Sequence, residues 1–169
     1  MKVVVTNRHK ALRVHRSEVE RLVAALQAER ESFEHSGSVL PSKNRERCTQ
    51  SGAQASVLSV VFLSDSELAA LHGRFLDDPS LTDVITFPPT PDSESAGEIC
   101  ISADAARRAA GARGFSRELT LYLVHGWLHL AGHDDLKSGL KRRMRRAERR
   151  ALALLATKRA IPQFTWRSQ

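Results

Sequence analysis

The chain has 169 residues, of which 41% are hydrophobic and only 5% aromatic, with 26 Lys and Arg against 19 Asp and Glu. That length and apolar share suit one globular domain, residues 1–169, with a core of Val, Leu, Ile and Ala, and they exclude a wholly disordered chain. The net charge of +7 favours polyanionic partners through Coulomb attraction and counterion release, although solubility alone accounts for it equally well.

No apolar run approaches the ~20 residues of a membrane span, so no membrane partner is expected. The three valines after Lys2 are too few for a secretory segment. Cys48 and Cys100 show neither close pairing nor metal-ligand spacing, which suits a reduced, cytoplasmic protein.

In chain order, KVVVT at 2–6 reads as a first strand. Val19, Leu22, Val23 and Leu26 then fall at helical spacing, with Ser17 as N-cap. From about 30 to 55 the chain is polar, carries Pro41 and lacks periodicity, so a flexible surface insertion is expected. SVLSVVFL at 56–63 is a β-branched run suited to a buried strand. Ser64 or Asp65 caps a following helix with Leu68 and Leu71 inward. DVITF at 83–87 and EICIS at 98–102 are two further strands, separated by the loop PPTPDSESAG. Helices follow at 103–112, 116–131 and 136–158. This order predicts an α+β fold, a small mixed sheet of about four strands packed with helices.

The segment with the most chemistry is His125-Gly126-Trp127-Leu128-His129-Leu130-Ala131-Gly132-His133-Asp134-Asp135. His125 and His129 lie one turn apart on one helix face. Two imidazoles so placed converge on one tetrahedral ion at ~2.0–2.1 Å. The spacing alone is weak, and two surface histidines explain it as well. Gly132 adds weight, because it can take φ > 0, end the helix and turn the chain back towards the histidine face. Asp135 then arrives as a third ligand, in the spacing of HxxxHxxGxxH zinc sites with carboxylate for imidazole.

His133 is the rival third ligand. In a continuing helix it would lie ~12 Å along the axis from His125, too far to share an ion, and the turn that rescues it also favours Asp135. Alternatively, Asp135 caps the next helix and Asp134 is a supporting acceptor or a solvated turn residue. One zinc per chain is expected, and the carboxylate makes Mn²⁺ or Mg²⁺ acceptable. A peptidase of the HExxH type needs Glu where this chain has Gly126, so that reading is poor.

These residues resemble the YbeY family of bacterial metal-dependent endoribonucleases. The family motif HGxLHLxGxDH is matched by HGWLHLAGHDD, except that Asp135 stands for the third metal-binding His and His133 for the usual Tyr. Thr82–Pro88 is similar to the family's TDVLSFP, Gly97–Ser102 to its GDIxIS, and Met144 with Glu148 to a trailing MxxxE. The likeness runs over roughly residues 57–155. Relatives usually carry Arg directly after an aromatic residue upstream of TDV, facing the cleft. Here Leu76 follows Phe75, and Arg74 is the nearest substitute.

The resemblance implies a single-strand-specific endoribonuclease acting on rRNA precursors in rRNA maturation and ribosome quality control, with the small ribosomal subunit or ribosomal proteins as partners. It implies His125 and His129 as catalytic residues, and Arg74 is taken as the substitute for the family Arg. Lys141, Arg142, Arg145 and Arg146 on the last helix, with Arg117, form the expected RNA footprint, although a solvated helix face explains any one of them. Arg107, Arg108 and Arg113 extend the basic set. The alternative is an RNA- or ribosome-binding assembly factor with a structural metal and little catalysis.

Overall fold

The computed structural model describes residues 1–34, 56–90 and 94–167. Residues 35–55, which include Cys48 and most of the expected insertion, lie outside the described residues, as do 91–93 of the loop after Phe87.

Four strands form one sheet in the order β1 (Lys2–Asn7), β3 (Val57–Leu63), β5 (Ser95–Ser102), β4 (Val84–Phe87). The first three run parallel, and β4 pairs antiparallel with β5. Alternation along β3 sends Leu58, Val60 and Phe62 to one face and Val61 and Leu63 to the other. The first face, with Ile99 and Ile101 from β5, forms the main core under α1 (Arg16–Gln27), α5 (Phe115–Leu130) and α6 (Ser138–Thr157). The second face packs Ile85 and Cys100 against Leu68 of α3 (Asp65–Leu76). Sheet central, helices on both faces: the α+β architecture expected from the sequence.

Local chemistry sets the ends of the elements. Ser64 caps α3 in a full capping box, its side chain accepting from Glu67 N while Glu67 accepts from Ser64 N. Ser64→Ala should therefore cost about 1 kcal/mol and lower Tm by about 2–4 °C, which thermal unfolding followed by circular dichroism would check. Helix α1 starts one residue before the expected cap, with His15 rather than Ser17 at the N-cap position.

The first residues of the stretch expected to be a flexible insertion are helical. Arg30–Glu34 forms a short helix, α2, and Phe33 is buried edge-on against Trp127. Arg150 holds this turn in place, donating to Ser32 O at 2.9 Å and lying over the Phe33 ring. Ala103–Ala109 forms α4, shorter than the expected 103–112 because a 3₁₀ turn follows at Gly111–Arg113. A two-residue ladder between β2 (Leu12–Arg13) and β6 (Thr165–Trp166) ties the two ends of the described chain together. Two residues are too few to show periodicity, so this ladder has no signature in the sequence.

Candidate metal centre

Helix α5 carries both histidines, and its apolar face fixes where they point. Leu119, Leu123, Val124, Trp127 and Leu128 are buried, which leaves His125 and His129 half-buried on the flank of the helix. Gly126 lies directly on the sheet: a Cβ there would meet Ile99 Cγ2 at 2.5 Å and Thr86 Oγ1 at 3.3 Å. That contact brings the helix axis close to β4 and β5 and leaves no space for the Glu of an HExxH peptidase.

The helix ends as a Schellman turn. Gly132 takes φ 93°, Gly132 N–H donates to His129 O, and His133 N–H donates to Leu128 O. The reversal brings Asp135 back to the histidines. Asp134 stabilises the turn, its Oδ1 accepting from the N–H groups of Asp135 and Leu136. Neither aspartate caps α6, whose N-cap position is Lys137.

His125 Nε2 and His129 Nε2 are 3.0 Å apart, and His129 Nε2 is 3.8 Å from Asp135 Oδ1. The three donor atoms all lie within 4.8 Å of one another. Donors ~2.0–2.1 Å from a tetrahedral ion are about 3.3 Å apart, so the observed separations bracket the requirement.

Hydrogen bonding fixes the tautomers. His125 Nδ1 is 2.7 Å from Glu148 Oε1, and His129 Nδ1 is 3.1 Å from His133 O. A carboxylate and a carbonyl accept only, so each Nδ1 carries a proton and donates. Two neutral imidazoles then turn bare Nε2 lone pairs towards each other beside a carboxylate. That arrangement is repulsive by itself and is relieved either by a proton on His125 Nε2, donated to His129 Nε2, or by a metal ion among the three donors.

The two rings are shifted in opposite directions. Burial opposes charge on His125, but the hydrogen bond and charge of Glu148, with Asp135 and Asp83, outweigh it and raise its pKa. Burial and the neighbouring His125 charge lower the pKa of His129 against the pull of Asp135. Two cationic imidazoles do not fit at this distance.

The rival ligand points elsewhere. His133 is 7% exposed, and its Nε2 lies 3.0 Å from Phe33 O, so its ring nitrogen is committed to α2. Burial lowers its pKa against the carbonyl's pull. The grouped donors among the described residues are His125, His129 and Asp135.

Arg74 is exposed on α3, its guanidinium 5.6 Å from the Phe75 ring, and Phe75 meets Phe87 edge-on. Among the described residues, the contact found for the Arg74 guanidinium is with Phe75 and not with the three donors. The side chains of Leu76 and Arg113 lie outside the described residues. Lys141, Arg142, Arg145 and Arg146 are all exposed on α6. Arg117 is exposed too, but two turns before His125, about 12 Å along the α5 axis. Arg107 stacks on Trp166, and Arg108 pairs with Asp65.

Glu148 is the site residue whose part the sequence did not reveal beyond its place in MxxxE. A signal was present: it shares the inward stripe of α6 with buried Met144, Ala151 and Leu155. An acid on an apolar stripe needs a partner, and that partner is a histidine.

The family model described as Endoribonuclease YbeY matches residues 5–156. An Endoribonuclease YbeY of Chlamydia pneumoniae is 33% identical, covering 95% of each chain. That of Chlamydia muridarum is 40% identical over 60% of this chain and 68% of its own length. That of Sinorhizobium medicae is 34% identical over 66% of this chain and 71% of its own. The fold is similar to the solution structure of a Thermotoga maritima protein, with a TM-score of 0.52, 19% identity and 94% of both chains covered.

Proposed function

This chain belongs to the endoribonuclease YbeY family, and we propose that it is a metal-dependent endoribonuclease that cuts single-stranded RNA in rRNA maturation and ribosome quality control. The observation that carries the metal dependence is the trio His125, His129 and Asp135, with both Nδ1 atoms already donated and both Nε2 atoms free to ligate. Zinc suits two imidazoles and one carboxylate, and the carboxylate makes Mn²⁺ or Mg²⁺ acceptable as well.

A bound divalent ion supplies Lewis acidity towards the phosphodiester and the attacking water. The chain's own residues do the rest. Glu148 and the His133 carbonyl hold the two rings in the ligating tautomer and orientation. Asp135 offsets part of the ion's charge. The exposed cations of α6, Lys141, Arg142, Arg145 and Arg146, hold the strand by its phosphates. RNA precursors and the small ribosomal subunit are the corresponding partners, and the cytoplasm the corresponding compartment. Among the described residues no helix is long and apolar enough to cross a membrane.

The test is cleavage of labelled single-stranded RNA by purified protein of known metal content, with and without chelator. Metal-loaded protein that cuts no faster than chelated protein would sink the nuclease reading in favour of an assembly factor with a structural metal. Glu148→Gln keeps an acceptor at His125 Nδ1 but removes its charge. Metal affinity should fall by about 10–100-fold, measured by competition with a chromogenic chelator.

A further inference from the structure

Opposite the metal centre, the carboxyl ends of β1, β3 and β5 open onto a groove that the proposed reaction does not use. It has a volume of about 790 Å³ and is lined by Arg8, His9, Lys10, Arg107, Arg167 and Trp166, with Ser64 and Glu67 at one side. Crevices at the carboxyl ends of parallel strands are the usual ligand sites of open sheets. A second groove of about 460 Å³ contains Arg13, His15 and Arg16, and shares Arg167 with the first. The two grooves flank the ladder between β2 and β6, so the cations form a track rather than a closed pocket.

Charge on this track is strongly one-sided. Six Lys and Arg side chains line the two grooves against one carboxylate, Glu67, which pairs with Arg8. Lys10, Arg13, Arg16 and Arg167 have no ion-pair partner among the described residues. Their charge is available to a ligand.

A second, independent feature is His9. Its side chain is 9% exposed, packs on Trp166 with ring centroids 4.7 Å apart, and has Nε2 3.1 Å from Asp104 Oδ1. The carboxylate accepts from Nε2–H, and Nδ1 is buried with no hydrogen-bond partner among the described residues.

We propose that this track is a second contact surface for the RNA strand, remote from the metal centre, which binds successive phosphodiester groups. It rests on the reading of the chain as an RNA-handling protein. Phe115, at the start of α5, touches Trp166. His125 lies ten residues further, about 15 Å along the helix. A strand that fills both places must therefore span several nucleotides.

The experiment uses full-length protein carrying His129→Ala, so its outcome does not depend on whether the wild-type chain cuts RNA. Binding of a labelled single-stranded RNA is measured by anisotropy across a salt series, with and without Lys10→Gln and Arg167→Gln together. Both side chains are exposed, and thermal unfolding checks that the fold is kept. Affinity at low salt should fall about tenfold, and the slope of log K against log salt should shrink by about 1.4, the counterion release of two single-strand contacts. Unchanged affinity and slope in a folded double variant would overturn the proposal. So would a loss confined to inorganic phosphate or a mononucleotide with RNA binding intact, since the track would then be a small-anion site.

Discussion

His129→Ala should leave the protein folded, empty of stoichiometric divalent metal, and slower at RNA cleavage by at least about three orders of magnitude. The size follows from the several kcal/mol of Lewis-acid stabilisation that leave with the ion, at about 1.4 kcal/mol per decade. The fold should survive because His129 is half-buried on the flank of α5, while Leu128 and Trp127 carry the packing. Metal analysis of three variants separates the ligands. Asp135→Ala should empty the site as His129→Ala does, because Asp135 Oδ1 is 3.8 Å from His129 Nε2. His133→Ala should keep the metal and lose stability instead, since its ring is buried and bonded to Phe33 O. Metal lost only from His133→Ala would show that the ligand set is wrong.

Gly126→Glu should abolish soluble, folded protein. Adding even a methyl group at Gly126 places it 2.5 Å from Ile99 Cγ2 and 3.3 Å from Val84 Cγ2. Gly126→Ala weighs two effects. Helix propensity gains up to about 1 kcal/mol over Gly, and overpacking costs about 1–3 kcal/mol. Overpacking should win by about 1–2 kcal/mol, lowering Tm by about 2–8 °C. Glu adds a buried charge worth several kcal/mol more, a large share of total stability. Gly139→Ala in α6 is the control: a Cβ there meets nothing within 4 Å, so it should be neutral or stabilising. A Gly126→Ala protein as stable as wild type would refute the close packing of α5 on the sheet.

The elements that were legible in the sequence are those whose pattern is local. The β-branched run of β3 and the helix cap, expected at Ser64 or Asp65 and found at Ser64, depend on neighbouring residues only. So does the stop of α5, because a glycine that must take φ 93° marks the turn by itself. The start of α2 was misread because Arg30–Glu34 carries one large apolar residue, Phe33, whose burial depends on Trp127 nearly a hundred positions away. The ladder between β2 and β6 was invisible for the same reason.

The candidate site divides along the same line. His125, His129, Gly132 and Asp135 belong to one short segment, so helical spacing and one turn residue were enough to group them. Where Asp135 and His133 point needed the tertiary structure, because the direction of each side chain depends on what lies across from it. Phe33 O takes the His133 ring, and the Schellman turn delivers Asp135 to His129. Glu148 likewise reaches His125 only because α6 packs against α5. The sequence by itself determined which residue types face one another on a helix. Only the folded chain decided which nitrogen is free, because that is settled by acceptors contributed from distant segments.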